Sequence, residues 1–205
     1  MSGGDTFRTS ADAYDRHVGR YGAQLAAALI EFAGVAPGMR VLDVGSGPGA
    51  LTAALAERVG VANVAAAEPS EPFAAACRVR VPGVEVVVAA AEALPFADDA
   101  FDLYFSNAVI EHVGGEERQR AFVAEALRVA RRVFLTTPNR WFPIEVHTRL
   151  PLVHWLPERA AARAYDVARR PWAKDNRLLG PAELRRLFPV PVRIVNLGMT
   201  LVAIT

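Results

Sequence analysis

The sequence lacks several features that would assign it to whole classes of protein. Its 205 residues contain one cysteine, Cys77, which excludes an internal disulfide framework and a cysteine-rich zinc site. No run approaches the ~18 apolar residues of a membrane span, so stable membrane insertion is not expected. The first ten residues, MSGGDTFRTS, have no apolar signal-peptide segment, and we therefore expect a cytoplasmic protein. The formal net charge of +1 argues against a dedicated nucleic-acid binder.

The most informative stretch that is present is VLDVGSGPG, residues 41–49. Val41 to Val44 predicts a buried parallel strand, because the run is apolar and rich in β-branched residues. Three alternating glycines follow, and a helical pattern begins directly after Gly49. Such a strand, glycine turn and helix let the backbone approach a ligand and present N–H groups to it. In an open α/β sheet this place lies at the carboxyl end of a strand, where such folds bind ligands.

Short β-type runs alternate with helical patterns along the chain, which predicts a mostly parallel sheet covered on both faces. The tail PVRIVNLGMTLVAIT holds two β runs that must pair antiparallel, since a parallel return needs a long crossover. We therefore predict an α/β, Rossmann-like, doubly wound sheet of seven strands with an antiparallel C-terminal edge pair. Besides the glycine strand and the tail, strands are expected at 63–67, 84–88, 101–105 and 133–137, and helices at 10–32, 116–130 and 158–169.

Two acidic residues indicate which class of ligand the glycine stretch binds. Glu68 follows the glycines by about 20 residues, where nucleotide-binding folds place the acid that accepts hydrogen bonds from ribose hydroxyls. Asp43 precedes the first glycine, and a carboxylate there would oppose a pyrophosphate but suit a cationic amino group. S-adenosylmethionine has an ammonium, a ribose and an adenine but no phosphate. A nicotinamide oxidoreductase, whose fingerprint is G-x-G-x-x-G, is therefore a distant alternative.

Five ordered stretches closely resemble the class I S-adenosylmethionine-dependent methyltransferases, in particular the small-molecule group of ubiquinone and menaquinone methyltransferases. They are VLDVGSGPG at 41–49, Glu68, AEALPF at 91–96, AFDLYFSNAVIEHV at 100–113 and TTPN at 136–139. The resemblance spans about residues 38–140 and implies S-adenosyl-L-methionine as the cofactor, while the length of 205 residues fits a single methyltransferase domain over 1–205. Within it we expect an N-terminal helical lid (1–37), a cofactor-binding core (38–138), a substrate-side insert (139–188) and a C-terminal strand pair (189–205).

The resemblance also implies the cofactor contacts. The glycine loop would wrap the amino-acid end of the cofactor, and Glu68 would bind both ribose hydroxyls. Family members usually have an aspartate where this chain has Ala90, so we expect the backbone of Ala91 and the side chain of Glu92 to contact the adenine instead. Asn107 would face the methyl-transfer region. The predicted cofactor-binding residues are Asp43, Gly45, Ser46, Gly47, Gly49, Glu68, Pro69, Ala91, Glu92 and Asn107.

The implied reaction is an in-line displacement of the sulfonium methyl group by an acceptor atom, for which we expect oxygen or carbon. A hydroxyl acceptor needs a base, and His112 and His147 are the predicted catalytic residues. One alternative is a divalent metal held by Glu111, His112, Glu145 and His147. Some quinone-pathway relatives have a further acid where this chain has Ala108, and we assign no metal site. The other alternative is that the histidines are structural or only line the acceptor site.

The segment 139–188 crowds prolines, tryptophans, histidines and arginines together, and we predict that it contacts the substrate. Aromatic rings with arginines suit an apolar or aromatic acceptor that bears an acidic group, and a solvated basic face is the alternative. The predicted partner is this small molecule, with no nucleic acid, and the protein is expected as a monomer or homodimer. A domain that binds the cofactor as a scaffold or sensor is the non-enzymatic alternative. Predicted acceptor contacts are Tyr14, Tyr21, His112, Trp141 and His147.

Overall fold

The structure is a computed structural model that describes residues 22–205, with side chains described from residue 25. Its sheet has seven strands in the order β3-β2-β1-β4-β5-β7-β6. Strands β1 to β5 pair in parallel, β7 is antiparallel to β5, and β6 is antiparallel to β7. The predicted fold class is therefore confirmed. The strands are β1 Val41–Val44, β2 Val64–Ala67, β3 Glu85–Val87, β4 Leu103–Asn107, β5 Val133–Pro138, β6 Arg193–Asn196 and β7 Thr200–Ile204.

Helices cover both faces of the sheet. They are α1 Gly22–Phe32, α2 Ala50–Val59, α3 Glu71–Arg80, α4 Glu116–Val129, α5 Glu158–Val167 and α6 Pro181–Leu187. Successive side chains of a strand point to opposite faces of the sheet, so the apolar strands contribute side chains to two separate hydrophobic cores. Leu42 and Tyr104 pack with α4 and α6 on one face, whereas Val41 and Phe105 pack with α1, α2 and α3 on the other. Within the described part of the chain, no helix is both long and apolar enough to cross a membrane.

Several element boundaries differ from the sequence prediction by one or two residues. The fourth strand begins at Leu103, and Phe101 makes only an isolated bridge to Ala130. Asp102 accounts for this shift, because its carboxylate accepts a hydrogen bond from the backbone N–H of Arg40 at the sheet end. Helix α5 ends at Val167 rather than at residue 169. The predicted antiparallel edge pair is present, and within it β7 lies next to β5 while β6 forms the outer edge.

The segment that follows β5 folds over the carboxyl end of the sheet. It contains α5, the short 3-10 helices Val153–Trp155 and Pro171–Asp175, and its own apolar cluster, which includes Val153 and Tyr165. A parallel bridge between Asn139 and Leu179 closes it at the sheet. Most of the predicted N-terminal lid, with Tyr14 and Tyr21, lies outside the described residues.

Candidate functional site

The loop between β1 and α2 has a shape that only glycine allows. Gly45 cannot carry a side chain, because a Cβ atom there would lie 2.3 Å from Cγ2 of Val109. A Cβ atom on Gly49 would lie 2.7 Å from Sγ of Cys77. The loop is therefore pressed between the segment after β4 and helix α3. Its three glycines all have positive φ angles, at 72°, 54° and 85° for Gly45, Gly47 and Gly49.

Glu68 lies beside this loop at the end of β2, and it is almost fully buried. Its Oε2 accepts a hydrogen bond from the N–H of Gly47 at 2.9 Å, and its Oε1 accepts one from the N–H of Ser70 at 2.9 Å. Burial raises the pKa of this carboxyl group, while the two backbone hydrogen bonds act in the opposite direction. Each oxygen keeps a further lone pair, so the carboxylate is held in place and can still accept two hydroxyl groups. Its contact with ribose stays a prediction.

Asp43 lies beneath the loop rather than on its surface, with 1% of its area exposed. Its Oδ2 accepts a hydrogen bond from Oγ1 of Thr52 in α2 at 2.6 Å. Burial raises the pKa of Asp43 to about 7; the Thr52 hydrogen bond lowers it and the nearby Glu68 raises it. By contrast, the buried Oγ of Ser46 has no hydrogen-bond partner among the described residues. A ligand group can therefore satisfy Ser46, and the loop residues fit an amino-acid-bearing cofactor.

The segment expected to contact the adenine is fixed to helix α4. Glu92 forms an ion pair with Arg118, with Oε1 and Nη2 2.6 Å apart. Arg128 donates hydrogen bonds to the carbonyl oxygens of Leu94 and Phe96, at 3.1 and 2.8 Å. Buried Ala91 begins this segment. One oxygen of Glu92 is thus occupied by Arg118, which the sequence did not indicate, and the adenine contact of Glu92 stays a prediction.

Asn107 ends β4 at the same edge of the sheet. Its Oδ1 accepts a hydrogen bond from Oγ1 of Thr136 in β5 at 2.6 Å. The next residue, Ala108, has a φ angle of 56° and donates its N–H to the carbonyl oxygen of Thr136 at 3.0 Å. This sharp turn directs the chain from β4 across the loop, where Val109 meets Gly45.

The two predicted catalytic histidines, His112 and His147, lie close together just after this turn. Glu111 and His112 belong to the short 3-10 helix Ile110–His112, and His147 comes from the segment after β5. Glu111 is fully buried, and its Oε2 accepts a hydrogen bond from Oγ1 of Thr137 at 3.0 Å. Its Oε1 lies 3.8 Å from Nε2 of His112 and 3.7 Å from Nε2 of His147. The imidazole rings are 5.0 Å apart between centroids.

The other nitrogen of each imidazole has a protein partner. Nδ1 of His112 lies 2.9 Å from Oδ1 of Asn176, and Nδ1 of His147 lies 2.8 Å from Oε1 of Glu145. Glu145 in turn accepts hydrogen bonds from two backbone N–H groups and from the hydroxyl of Thr148. A carboxylate oxygen only accepts, so His147 carries a proton on Nδ1; the same assignment follows for His112 when the amide of Asn176 is oriented as described.

Charge in this cluster is unevenly distributed. Burial lowers the pKa of His112, and the carboxylate of Glu111 only partly offsets it. Burial also lowers the pKa of His147, but the carboxylates of Glu111 and Glu145 have the larger effect and raise that pKa above its usual value. Burial disfavours the charged form of Glu145, yet the hydrogen bonds from His147 and Thr148 hold its pKa well below its usual range. The surroundings therefore favour the neutral form of His112 and the protonated form of His147.

A cavity of about 450 Å³ borders the cluster. Glu145 and Asn176, the partners of the two imidazoles, line it together with Arg140, Tyr165 and Arg177. The lining includes one tyrosine and several charged side chains, and contact of this segment with the substrate stays a prediction.

Trp141 is not part of the cluster. It is 60% exposed and lies beside Trp155, with 6.4 Å between ring centroids. No sequence pattern indicated Asn176, whereas Thr137 belongs to the quoted TTPN stretch. The acceptor contacts assigned to Trp141 and to the histidines stay predictions.

The sheet order, the glycine loop after β1 and the acid after β2 define a Rossmann-like domain of the methyltransferase type. A family profile described as a methyltransferase domain matches residues 42–133. The ubiquinone biosynthesis O-methyltransferase of Rhizobium johnstonii is 33% identical over 141 residues, which are 65% of this chain and 55% of that protein. An uncharacterized methyltransferase of Mycobacterium avium is 37% identical over 145 residues, 69% of this chain and 55% of that one.

Among solved structures, a SAM-dependent methyltransferase from Aquifex aeolicus shares the fold with a TM-score of 0.63 and 18% identity. The match covers 96% of this chain and 99% of that one. The chain carries a class I S-adenosylmethionine-dependent methyltransferase domain, so the predicted class is confirmed and with it the predicted cofactor. The matches extend over about half the length of the curated relatives.

Proposed function

We propose that this chain transfers the methyl group of S-adenosyl-L-methionine to an oxygen of a small apolar or aromatic molecule, with carbon as the alternative acceptor atom. The observation that carries the proposal is the contact between Gly45 and Val109. It joins the cofactor loop to the segment that bears Glu111 and His112, so both halves of a transfer site lie at one edge of the sheet. The O-methyltransferase name of a relative that is 33% identical supports oxygen.

The chain's own residues account for cofactor binding. Glu68 accepts from the ribose hydroxyls, the loop N–H groups and Ser46 bind the amino-acid end, and the segment from Ala91 encloses the adenine. When bound, S-adenosyl-L-methionine supplies an electrophilic methyl group on a positively charged sulfur. The rigid attachments of Glu68 and of the loop keep this end of the cofactor fixed, which favours in-line transfer.

The proposed methyl transfer needs only the cofactor and the acceptor molecule as reactants. Bound S-adenosyl-L-methionine would supply the methyl group: the acceptor oxygen would form the new bond to it, and the electron pair of the broken S–CH3 bond would stay on the sulfur of S-adenosylhomocysteine. The acceptor hydroxyl loses its proton at the cluster of Glu111, His112 and His147, to an imidazole nitrogen or to water. The predicted catalytic roles of the two histidines remain proposals. The cavity of about 450 Å³ beside the cluster supports a small molecule as the acceptor. The cytoplasmic location stays the prediction made from the sequence.

Calorimetry with S-adenosylhomocysteine tests the cofactor site directly. Glu68→Gln removes the negative charge and one acceptor site, so the dissociation constant should rise by at least about tenfold. Glu71→Gln is the matched control, because Glu71 is exposed and pairs only with Arg78 at 2.9 Å among the described residues. Equal affinities for the two variants would contradict the assignment of Glu68.

Release of S-adenosylhomocysteine in the presence of hydroxylated aromatic acceptors tests the reaction itself. Turnover with at least one such acceptor is expected. A protein that binds the cofactor but turns over none of them would support the non-enzymatic scaffold or sensor instead. Methylated product identified by mass spectrometry distinguishes oxygen from carbon.

A further inference from the structure

We propose that Glu111, His112 and His147 bind one divalent transition-metal ion. Oε1 of Glu111 and a nitrogen of each imidazole lie within 4.8 Å of one another. Two of these ligands come from the 3-10 helix after β4 and the third from the segment after β5, so only the fold brings them together. Glu145 was a fourth ligand in the metal alternative considered from the sequence, but its carboxylate contacts Nδ1 of His147 instead.

The separations of the three atoms suit coordination. Nitrogen and oxygen ligands bond to such ions at about 2.0–2.2 Å, which places neighbouring ligand atoms ~3.0–3.5 Å apart. In the structure, Oε1 of Glu111 lies 3.8 Å from Nε2 of His112 and 3.7 Å from Nε2 of His147. Oε1 therefore needs a shift of a few tenths of an ångström toward each nitrogen, and the two nitrogens, which lie within 4.8 Å of each other, must also move closer.

Glu111 provides an independent sign that a ligand is expected here. Its side chain is fully buried, and Oε1 accepts no hydrogen bond from any described residue. The other oxygen is fixed by the hydroxyl of Thr137. A buried carboxylate oxygen that accepts no hydrogen bond is costly, and a metal ion bound directly between it and the two imidazoles removes that cost.

The outer partners of the imidazoles complete the pattern of a metal site. Metal-ligating histidines usually donate their second ring nitrogen to a carboxylate or another oxygen, which fixes the tautomer and orients the ligating nitrogen. Asn176 has this position at Nδ1 of His112, and Glu145 has it at Nδ1 of His147. Glu145 therefore orients a ligand and does not coordinate the ion.

The ligand types select the metal class. Two imidazoles and one carboxylate suit zinc, cobalt, nickel or iron, whereas magnesium prefers oxygen ligands. Three protein ligands leave at least one coordination position open. An acceptor oxygen reaching that position would have its hydroxyl pKa lowered, and His112 and His147 would then be ligands rather than bases. This role rests on the proposed function, whereas metal binding itself does not.

Titration of the chelator-treated full chain with Co²⁺ and Zn²⁺ tests the site. The visible absorption of Co²⁺ and calorimetry with Zn²⁺ should each show one ion per chain, with Mg²⁺ binding far more weakly. His147→Ala and Glu111→Gln should each weaken binding at least about 100-fold, and Asn176→Ala about 10–100-fold. His154→Gln is the control, since the ring of His154 contacts the carbonyl oxygens of Arg140 and Phe142 instead.

Two further results decide how the titration is read. Circular dichroism and thermal melting of each metal-free variant establish that it is folded, and the metal comparison is made among folded variants. The proposal is overturned if the parent chain binds neither Co²⁺ nor Zn²⁺, if His147→Ala and Glu111→Gln bind as tightly as His154→Gln, or if Mg²⁺ binds more tightly than Zn²⁺. Loss of S-adenosylhomocysteine binding with intact Co²⁺ binding would contradict the proposed function alone.

Discussion

Replacing Gly45 by alanine should destabilise the domain more than the same change at Gly47, although both glycines have positive φ. A new Cβ at Gly45 would lie 2.3 Å from Cγ2 of Val109, whereas nothing lies within 4 Å of one at Gly47. The left-handed conformation costs alanine ~1–2 kcal/mol at either position. Overpacking against Val109 adds ~1–3 kcal/mol at Gly45 only. We therefore expect losses of about 2–5 kcal/mol for Gly45→Ala and about 1–2 kcal/mol for Gly47→Ala.

Urea unfolding, with a common slope for all variants, measures these differences. The Val109→Ala change supplies the internal check, because it removes both methyl groups that the new Cβ would meet. In the double variant Gly45→Ala with Val109→Ala, the loss should fall short of the sum of the single losses by about 1–3 kcal/mol. Additive losses, or equal losses at Gly45 and Gly47, would refute the argument that the Gly45–Val109 contact fixes the loop against the segment after β4.

Two further predictions concern the surroundings of the cofactor site. Burial raises the pKa of Asp43 from 3.8 to about 7, so the folded state retains a proton that the unfolded state has lost, and stability should fall as the pH rises through this window. Asp43→Asn should flatten that slope when urea unfolding is compared at about pH 5 and pH 8. Arg128→Met should destabilise the domain more than Arg131→Met does in the same assay, because three hydrogen bonds of Arg128 reach Leu94, Phe96 and Asp98 in the segment after β3.

Local patterns were sufficient to predict the fold. The apolar runs at Val41 and Val133 are buried over their whole length, as parallel strands between two helix layers require. The short gap around Gly198 allows only an antiparallel pair, and β6 and β7 form one. The position of β7 between β5 and β6 could not be predicted in this way, because it depends on which edge the returning chain meets and not on any local spacing.

The cofactor loop was equally accessible from the sequence, since its residues are neighbours in the chain. Only their surroundings were hidden. Thr52, in the first turn of α2, donates a hydrogen bond to Asp43, and no local pattern indicated that Asp43 would be buried beneath the loop. Arg118, which pairs with Glu92, lies on α4, a separate element. Charged partners that meet across elements leave no periodic trace in the sequence.

The arrangement of the histidine cluster was the least predictable from the sequence, because it depends on contacts between separate elements. Its geometry depends on how the segment after β5 returns to the sheet, and backbone contacts determine that return. The N–H of Arg177 donates to the carbonyl oxygen of Glu111 at 2.8 Å, and the buried amide of Gln119 donates to the carbonyl oxygens of Ile110 and Arg177 at 3.2 and 3.1 Å. These contacts place Asn176 against His112. Because Gln119 bridges both backbones, one buried side chain of α4 helps to hold Asn176 beside the short helix that carries Glu111 and His112.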